Sequence, residues 1–596
     1  MTLFFGVLSW LQVFLLPGFA VLAWFRNIPT STRWIAAFSL SFTLSYVIVI
    51  SLATLGCYNR PTLLALMGVE VASISAAFLL SPRSKKTVCL KLREFSAIEV
   101  ILLGLALIQF SHYLSSWFRD LGGIFTEHDA VVGWNRFAME WARSEVARGF
   151  PQGINYYPMG LPGAYSVTYI LLGTFSIQMF SKAMPGILFL FAMGTLIHTG
   201  WRERSWAMRC FLTVYLFGTI QAKFLQSHWT SGYADIPVTC WSAIVFCLLL
   251  RCDLSSTEKE RRSTFVLALV AAFSGAMTKQ GGLLTLFSVV VFGCLRIGLP
   301  SALRLSLPSV VVAGAYYGWL VLRVKVFKVD WANAGLLIQS AGSSIFDRWH
   351  HAWKMMRLFA RPNELLGLAV CQIGACLALV RQRPWWAWVA IHGLGYSLIW
   401  ASTFSYDIRN FAPALFALSL ACSIFLIELT RFSWQEWWLL FLKKTSGNPW
   451  LSGAVPGKAA KTAGAILLAA VAFKTAHLSS DAANRETDLR MALGNGHLNQ
   501  TVRRALSDTG AVRLFTNLEK ANYLFLGITP VTLIECPRDF YKIGQDSGSD
   551  PFPVLYAFDL SRCDPRGSMA NLVIPPSCKT LGSDDKLIRI LCQSAR

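Results

Sequence analysis

Long apolar segments follow one another along roughly the first 480 residues of the 596-residue chain. Each run is close to the roughly 20 residues that an α-helix needs to cross a bilayer. Because lipid offers the backbone no hydrogen-bond partners, such segments cross the membrane as helices. The pattern predicts a polytopic α-helical membrane protein with about 14–15 membrane segments. The runs are 3–25, 34–56, 61–81, 97–118, 162–180, 183–200, 206–225, 236–251, 263–278, 281–296, 304–322, 364–380, 384–403, 410–430 and 460–478.

The composition narrows the class of protein. Hydrophobic residues make up 54% of the chain and charged residues 14%, against roughly 25% charged residues in an average soluble domain. This excludes a disordered chain and an ordinary soluble enzyme. Almost all of the net charge of +22 lies before residue 479, where basic loops orient a membrane protein. We therefore predict contact with the lipid bilayer and no nucleic-acid partner.

The positions of the basic loops predict the orientation of the chain. The loop 81–96 carries Arg83, Lys85, Lys86, Lys91 and Arg93, and such short basic loops remain in the cytoplasm. The outer side of the membrane then contains residues 404–409, everything after about residue 479, and three larger loops. This arrangement requires that segment 162–180 is a re-entrant or juxtamembrane helix and not a full crossing. The three larger outer loops are 119–161, 226–235 and 323–363.

The region 479–596 has nearly balanced acidic and basic residues, unlike the rest of the chain. Short apolar runs that begin at Arg513, Val531, Val554 and Leu587 predict strands, and residues 498–508 predict a helix. We expect a small soluble α/β domain on the outer side of the membrane. Its even number of cysteines predicts two disulfides, with the pairing left open. The four cysteines are Cys536, Cys563, Cys578 and Cys592.

The first outer loop holds the densest group of polar residues. Glu127, His128 and Asp129 are consecutive and precede an amphipathic helix pattern whose apolar face contains Trp134, Phe137 and Trp141. One interpretation is a juxtamembrane helix that lies on the bilayer and is capped by Asp129. The other is that Asp129 points into a cavity as a general base or a metal ligand.

Further polar residues stand at predicted helix ends on the same outer face. Ionisable groups are scarce in a membrane protein, so their gathering on one side indicates a site for a charged substrate. Lys279 lies alone between two apolar helices, and we expect an anion to pair with it or its side chain to reach the membrane surface. Lys279 and Arg409 suit a phosphate group. The other candidate substrate-binding residues are Tyr157, His228, Asp235 and Tyr406.

The order of these elements resembles the GT-C superfamily of integral membrane glycosyltransferases. The shared order is an acidic first outer loop, a Tyr-Pro segment, an Asp in the second outer loop, Thr278-Lys279 at a helix end, an Arg near a Pro before the last spans, and a soluble C-terminal domain. The protein O-mannosyltransferase and aminoarabinose transferase types are the most similar in layout. The resemblance covers about residues 97–430 and implies a sugar donor carried on polyprenyl phosphate.

The resemblance also implies roles for individual residues. Asp129 corresponds to the catalytic carboxylate that takes the proton of the acceptor hydroxyl, with Glu127 as its companion. Asp235 corresponds to the acidic residue of the second outer loop, and Lys279 and Arg409 correspond to ligands of the donor phosphate. Some members of the superfamily need a divalent metal and others do not. Mg²⁺ or Mn²⁺ held by Glu127, Asp129 and Asp235 therefore stays open.

Domain boundaries follow from the same comparison. Residues 1–96 are extra N-terminal helices that precede the matching part, and residues 97–430 form the catalytic membrane core. An interfacial helix, a linker and a last span occupy 431–478, and 479–596 is the outer domain. A second departure from the family is Gln280-Gly281, where relatives often have Gly-Pro. The expected location is the bacterial inner membrane, with the active site on the periplasmic side and a glycan, lipid or protein as acceptor.

Two other functions remain open at this stage. A transporter of lipid-linked saccharide would place ionisable residues at the middle of the membrane and show repeated halves. An O-antigen ligase or polymerase would use Arg and His residues of a late outer loop. The stretch 346–361 contains such residues, and its pattern is also that of a basic, aromatic interfacial helix.

The predicted orientation can be tested directly. A reporter enzyme that is active only outside the cytoplasm, fused after residue 479, should give full activity, whereas the same reporter fused within the basic loop 81–96 should be inactive. The physical reason is that clustered Lys and Arg residues resist translocation. A cytoplasmic signal from the first fusion would contradict the orientation.

Overall fold

The computed structural model of the chain is mostly helical. A helix lies at each predicted apolar segment within the described residues, and the predicted segment 460–478 lies outside them. The structure describes residues 1–25, 28, 30–80, 95–121, 125, 130–143, 146–147, 150–151, 158–175, 177–225, 232–326, 344–404, 407–445, 497–516, 531–533, 553–559, 578–583 and 587–592.

The helices of the membrane part are numbered from the N-terminus. A π-helical turn, Ala130–Trp134, precedes α6, and a short hairpin of β1 (Val146–Ala147) and β2 (Phe150–Pro151) follows it. The first helices are α1 Thr2–Phe14, α2 Leu16–Leu22, α3 Thr30–Thr54, α4 Arg60–Leu79, α5 Ala97–Asp120, α6 Asn135–Ala142, α7 Gly160–Leu172, α8 Met179–Arg202 and α9 Ala207–Leu225.

The second half of the membrane part continues in the same way. The helix that starts at Arg383 contains two π-helical turns, Ile391–Gly395 and Trp400–Phe404, and a 3₁₀ turn, Ile408–Phe411, leads into the last long helix. The helices are α10 Asp235–Leu254, α11 Glu258–Thr278, α12 Gly282–Arg296, α13 Leu299–Val326, α14 Ile345–Phe359, α15 Pro362–Leu379, α16 Arg383–Ala390, α17 Tyr396–Ile399 and α18 Ala412–Thr445.

Seven of the described helices are long and apolar enough to cross a membrane, and the bent pair α1 and α2 adds an eighth if the two form one span. The protein is therefore an integral membrane protein. The number is below the predicted 14–15 because other helices fall short in length or composition. α12 has 15 residues, and α11 begins with the charged run Glu258 to Arg262. The seven are Thr32–Thr54, Arg60–Leu79, Ala97–Asp120, Met179–Arg202, Asp235–Leu254, Pro362–Leu379 and Ile408–Leu429.

The segment 162–180 forms two separate pieces. Its first piece belongs to α7, which has 13 residues and is about 20 Å long, shorter than the roughly 30 Å hydrocarbon core of a bilayer. Gly173, with φ of 68°, ends the helix in the left-handed conformation. Residues 160–171 are all buried. α7 therefore lies inside the protein, and it is too short to cross the hydrocarbon core by itself.

One hydrophobic core joins the N-terminal helices to the rest of the membrane part, because it contains residues from Phe5 to Ile424. α10 lies at its centre, with 94% of its most apolar window buried, whereas the corresponding windows of α4, α5 and α15 are 17% buried. Helix α3 packs against α10 and α11. The centre of the Phe38 ring lies 6.2 Å from that of Trp241 in α10, and the Thr43 hydroxyl lies 2.7 Å from that of Ser274 in α11.

Helix α6 forms where the amphipathic pattern predicted it, but its apolar face does not lie on the bilayer. Trp134, Phe137 and Trp141 are buried in the protein. The Trp141 ring packs beside Tyr46, and Gly163 of α7 leaves room for it, since a Cβ at Gly163 would lie 2.6 Å from Trp141. The prediction of a juxtamembrane helix on the lipid surface is therefore wrong for the described part, because α7 and α3 cover this face.

The C-terminal region contains the predicted small α/β fold. Helix α19 (His497–Thr509) and strands β3 (Arg513–Thr516), β4 (Val531–Leu533), β5 (Val554–Asp559) and β7 (Leu587–Cys592) lie where the sequence predicted them. An additional strand, β6 (Cys578–Ser583), completes a sheet of order β4-β3-β5-β7-β6. The three strands β4, β3 and β5 are parallel, and β7 is antiparallel to both β5 and β6. α19 packs Val502, Ala505 and Leu506 onto the sheet.

Cys578 and Cys592 face each other across β6 and β7 and form a disulfide. This is one of the two predicted disulfides, and Cys536 and Cys563 lie outside the described residues. The nine cysteines of the membrane part that the structure describes are free. They are Cys57, Cys210, Cys240, Cys247, Cys252, Cys294, Cys371, Cys376 and Cys422.

The disulfide should stabilise the C-terminal fold. A cross-link that closes a loop of about 15 residues contributes about 3 kcal/mol by restricting the unfolded chain, so Cys592→Ala should make this region cleavable at lower protease concentration. Cys57→Ala, which removes a free thiol, should leave the cleavage unchanged. In the unaltered protein, peptide mapping should recover Cys578 and Cys592 in one linked peptide. Recovery of both as free thiols without reductant would contradict the prediction.

Candidate functional site

The structure describes three of the eight candidate site residues, Asp235, Lys279 and Arg409. It places all three at helix ends on one side of the membrane part, where the start of α10, the end of α11 and the start of α18 meet. The remaining candidates lie outside the described residues. These are Glu127, Asp129, Tyr157, His228 and Tyr406.

Asp235 and Lys279 form a buried ion pair. Asp235 is the first residue of α10 and Lys279 is the C-cap of α11, and the Lys279 Nζ lies 2.5 Å from Asp235 Oδ1. Their side chains are 4% and 15% exposed. Each charge also suits its helix end, because carboxylates are stabilised at N-termini and cations at C-termini. Of the two expectations for Lys279, pairing with an anion or reaching the membrane surface, the structure shows the first, and the anion is the carboxylate of Asp235.

Two glycines allow the chain to turn tightly after Lys279. A Cβ at Gly281 would lie 2.5 Å from Pro413 Cγ and 3.0 Å from the Tyr396 hydroxyl. A Cβ at Gly282 would overlap the backbone of Gly275. The pair Gly281-Gly282 therefore lets the turn approach both α18 and α11, which explains the sequence that follows Lys279 in terms of packing.

Trp241 connects the two helices one level deeper in the membrane. It lies six residues after Asp235, about 9 Å along the helix. Its indole Nε1 donates to Thr278 Oγ1 at 3.0 Å, and the Thr278 hydroxyl donates to the Ser274 carbonyl. Phe42 of α3 packs on the indole, with ring centroids 5.1 Å apart. Sequence analysis missed Trp241, since an apolar segment shows no sign of which tryptophan faces a polar partner.

Asp407 and Arg409 form a second acidic–basic pair. Asp407 accepts from the Arg409 backbone N–H at 2.9 Å, from Nε at 2.8 Å and from Nη2 at 2.5 Å. Through Oδ1 the Asp407 carboxylate thus caps the 3₁₀ turn, and through Oδ2 it accepts two charge-assisted hydrogen bonds from the guanidinium. The guanidinium carbon lies 4.5 Å from the centre of the Tyr233 ring, which is a cation–π distance. Tyr233 is a site residue that sequence analysis missed.

The electrostatics of Asp407 link the two pairs. Burial raises the pKa of this carboxyl, but the hydrogen bonds and charge of Arg409 outweigh burial, and the charge of Lys279 adds to them, so the net pKa lies below its ordinary value. Asp407 therefore stays ionised at neutral pH. Its contribution to stability is present above the pKa of an unfolded Asp and is lost only as the pH falls through the lowered value.

Neighbouring contacts keep the two pairs close to each other. The Tyr396 hydroxyl donates to the Asn410 carbonyl at 2.8 Å, and the Thr239 hydroxyl donates to the Ala412 carbonyl. These bonds join α10 and the segment after α16 to the start of α18. We refer to Asp235, Lys279, Asp407 and Arg409 as the four-charge cluster. It contains two cations and two carboxylates, so its formal charge is zero.

The start of α7 is fixed against the end of α11. The Met159 N–H donates to the Tyr316 hydroxyl at 3.0 Å, and that hydroxyl lies 2.7 Å from the hydroxyl of Tyr46 in α3. Gly160 lies against Met277, since a Cβ there would be 2.6 Å from the Met277 carbonyl oxygen. The start of α7, which follows the Tyr-Pro segment, therefore lies next to the residues that precede Lys279.

The sequence left open a divalent metal held by Glu127, Asp129 and Asp235. Of the three predicted ligands, the structure describes Asp235, and this carboxylate is bound to Lys279. Within the described ranges no three His, Cys, Asp or Glu side chains lie close enough together to hold a metal ion.

Comparisons with known proteins give one similarity. No protein-family model matches the chain, and no curated protein matches it. Among solved structures, the chain is similar to the crystal structure of ArnT from Cupriavidus metallidurans bound to undecaprenyl phosphate, with 13% identity and a TM-score of 0.44. The match covers 82% of this chain and 98% of that chain. This level is too low to match individual residues between the two proteins.

The Asp235–Lys279 pair can be tested by a double-mutant cycle. Asp235→Asn should lower the stability of the detergent-solubilised protein by about 3 kcal/mol, because it leaves a buried ammonium group without its carboxylate. Asp235→Asn with Lys279→Gln should cost less than the sum of the two single changes. The apparent melting temperature, followed by a thiol-reactive dye that reports exposure of the buried cysteines, measures both.

The exposed pair Glu258–Arg262 provides the matched control. Its Nε–Oε1 distance is 2.7 Å and both side chains are about half exposed, so Glu258→Gln and Arg262→Gln should each leave the melting temperature nearly unchanged, because water screens an exposed ion pair. Additive effects of the changes at Asp235 and Lys279 would show that their close contact does not contribute to stability.

Proposed function

We propose that the protein is a GT-C-like membrane glycosyltransferase that moves a sugar from a polyprenyl-phosphate-linked donor to an acceptor hydroxyl on the outer face of the membrane. The observation that carries the proposal is the four-charge cluster, which brings together Lys279 and Arg409 from segments 130 residues apart in the sequence. The order of the sequence motifs provides independent support.

The depth of the cluster suits a lipid phosphate. Asp235 begins one candidate span and Arg409 lies in the first turn of another, so both stand where a helix enters the bilayer. The phosphate of a polyprenyl lipid lies at this same level because its chain is held in the hydrocarbon core. The N-termini of α10 and of the 3₁₀ turn before α18 also direct positive dipole ends to this side, which favours an anion.

The two carboxylates would prepare the cations for the phosphate. Asp235 and Asp407 hold Lys279 and Arg409 in fixed positions before the donor arrives, and such preorganised charge costs little rearrangement during the reaction. A lysine ammonium has three N–H donors, so a phosphate oxygen can bind Lys279 while Asp235 keeps its own bond. Because Asp235 and Asp407 are negatively charged, the site would also bind a small anion less tightly than Lys279 and Arg409 would without these carboxylates.

The reaction follows as a single displacement. The acceptor hydroxyl oxygen forms a bond to the anomeric carbon while the bond from that carbon to the phosphate oxygen breaks. Asp129, aided by Glu127, takes the hydroxyl proton. The electron pair leaves with the polyprenyl phosphate, whose developing charge Lys279 and Arg409 stabilise. Tyr157, His228 and Tyr406 would contact the sugar or the donor phosphate, and one displacement inverts the anomeric centre.

The location proposed for this reaction is the periplasmic side of a bacterial inner membrane. The Cys578–Cys592 disulfide supports an outer-side C-terminal domain, since disulfides persist in oxidising compartments. The cluster stands at the ends of candidate spans, whereas a transporter would need ionisable groups near the middle of the membrane. His350 and His351, which the ligase or polymerase alternative would use, are exposed on α14.

Binding and transfer provide separate tests of the proposal. With undecaprenyl phosphate alone as the probe, native mass spectrometry should show weaker binding for Lys279→Gln and Arg409→Gln and unchanged binding for Asp129→Asn. In proteoliposomes that contain a set of polyprenyl-phosphate sugars, Asp129→Asn should lower the rate of transfer about 10²–10⁴-fold, as expected for loss of a general base.

Asp508→Asn, on the exposed side of α19, is the matched control and should keep full transfer. Full transfer by Asp129→Asn would remove Asp129 as the base. Loss of transfer in a His350→Ala/His351→Ala variant, with Asp129→Asn fully active, would favour the ligase alternative. Movement of lipid-linked sugar across the bilayer without any transfer would favour a transporter.

A further inference from the structure

Helix α14 has an exposed surface that the proposed reaction does not use. The helix begins with a capping box, in which the Ser344 hydroxyl and the Asp347 carboxylate each accept from the other residue's backbone N–H. Its inward side is covered, since Ala352 is buried and Met355, Met356 and Phe359 pack against the hydrophobic core. The rest of the helix faces outward.

Two stripes run along the outward side of α14. Phe346, Trp349 and Trp353 are spaced i, i+3, i+7 and form an aromatic stripe, in which the Phe346 side chain is 76% exposed. His350, Lys354 and Arg357 have the spacing i, i+4, i+7 and form a parallel basic stripe, and all three are exposed. Aromatic rings beside cations are typical of a helix that lies in the headgroup layer of a membrane.

The position of α14 along the chain fixes its depth. Only Ala360 and Arg361 separate it from α15, which begins the candidate span Pro362–Leu379. Two residues extend at most about 7 Å, so the end of α14 lies at the level where that span enters the bilayer. The charged residues within α14 and its length of 15 residues do not suit a crossing helix. The helix therefore lies at the membrane surface.

Contacts place α14 on the same face as the four-charge cluster. Arg348 Nη1 donates to the Ser402 carbonyl at 2.8 Å, and the Trp349 indole donates to the Ser402 hydroxyl at 3.0 Å. Ser402 belongs to the π-helical turn Trp400–Phe404, and Trp400 Nε1 donates to the Asp407 carbonyl at 3.1 Å. α14 is thus joined by two short steps to the backbone of Asp407, the residue whose carboxylate holds Arg409.

We propose that α14 is a lipid-surface-binding helix, whose aromatic stripe enters the headgroup layer and whose basic stripe binds the phosphates of anionic phospholipids. The partner is the bilayer itself and not the sugar donor. Charge complementarity selects this partner, because the helix carries Arg348, Lys354 and Arg357 against one carboxylate, Asp347, which is already engaged in the cap. The proposal does not depend on the enzymatic function.

The experiment uses the full chain in nanodiscs that contain equal amounts of phosphatidylglycerol and phosphatidylcholine. Phe346→p-benzoylphenylalanine places a photo-crosslinker on the aromatic stripe, and mass spectrometry identifies the lipids that it captures. The expected ratio of phosphatidylglycerol to phosphatidylcholine is about fivefold or more, since each basic residue near a membrane surface contributes about 1 kcal/mol of attraction to anionic lipid. Lys354→Glu/Arg357→Glu should reduce this ratio to about one or below.

Arg381→Glu/Arg383→Glu makes the same change in charge at two exposed positions at the far end of α15. This control should leave the ratio at position 346 unchanged. If the charge-reversal variant does not fold, Lys354→Gln/Arg357→Gln should give an intermediate ratio. A ratio near one in the unaltered helix, an unchanged ratio in either variant of Lys354 and Arg357, or capture of a second protein copy in place of lipid would overturn the proposal.

Discussion

A cation buried at the edge of a bilayer needs a carboxylate or another anion close by, and the ion pair between Lys279 and Asp235 meets this need inside the protein. The arrangement of α10 and α11 depends on it, since the C-cap of α11 and the first residue of α10 must come together. The glycines after Lys279 let the turn approach α18 and α11 closely, and the Trp241 indole bonds Thr278 of α11 near the ion pair. Asp407 and Arg409 repeat the pairing nearby.

Sequence reasoning predicted the ends of the helices better than the contacts between them. Apolar periodicity located the described helices, and placing Asp235, Lys279 and Arg409 on one face required only the orientation of the loops. The pairing of Lys279 with Asp235 was not predicted, because side chains 44 residues apart meet only through the crossing of whole helices. The burial of α6 was missed for a similar reason, since an amphipathic pattern does not tell whether lipid or protein covers the apolar face.

The C-terminal region shows the same limit on a smaller scale. The strands β3, β4, β5 and β7 have apolar runs that the sequence shows plainly. Strand β6 has the sequence Cys-Lys-Thr-Leu-Gly-Ser and lies at the edge of the sheet, where a single neighbouring strand and one covered face require few apolar residues. Because β6 pairs with β7, Cys578 forms its disulfide with Cys592. The sequence alone left open three possible connectivities of the four cysteines.

The contacts of α3 have a consequence for how such a chain could arise or be shortened. Tyr46 supports Tyr316, Thr43 lies on Ser274, and Phe42 covers Trp241. Deleting the first 80 residues would leave these three partners facing lipid, and two of them lie within a few residues of the buried ion pair. The N-terminal helices are therefore an integral part of the helix bundle. A shorter relative would need different side chains at positions 241, 274 and 316.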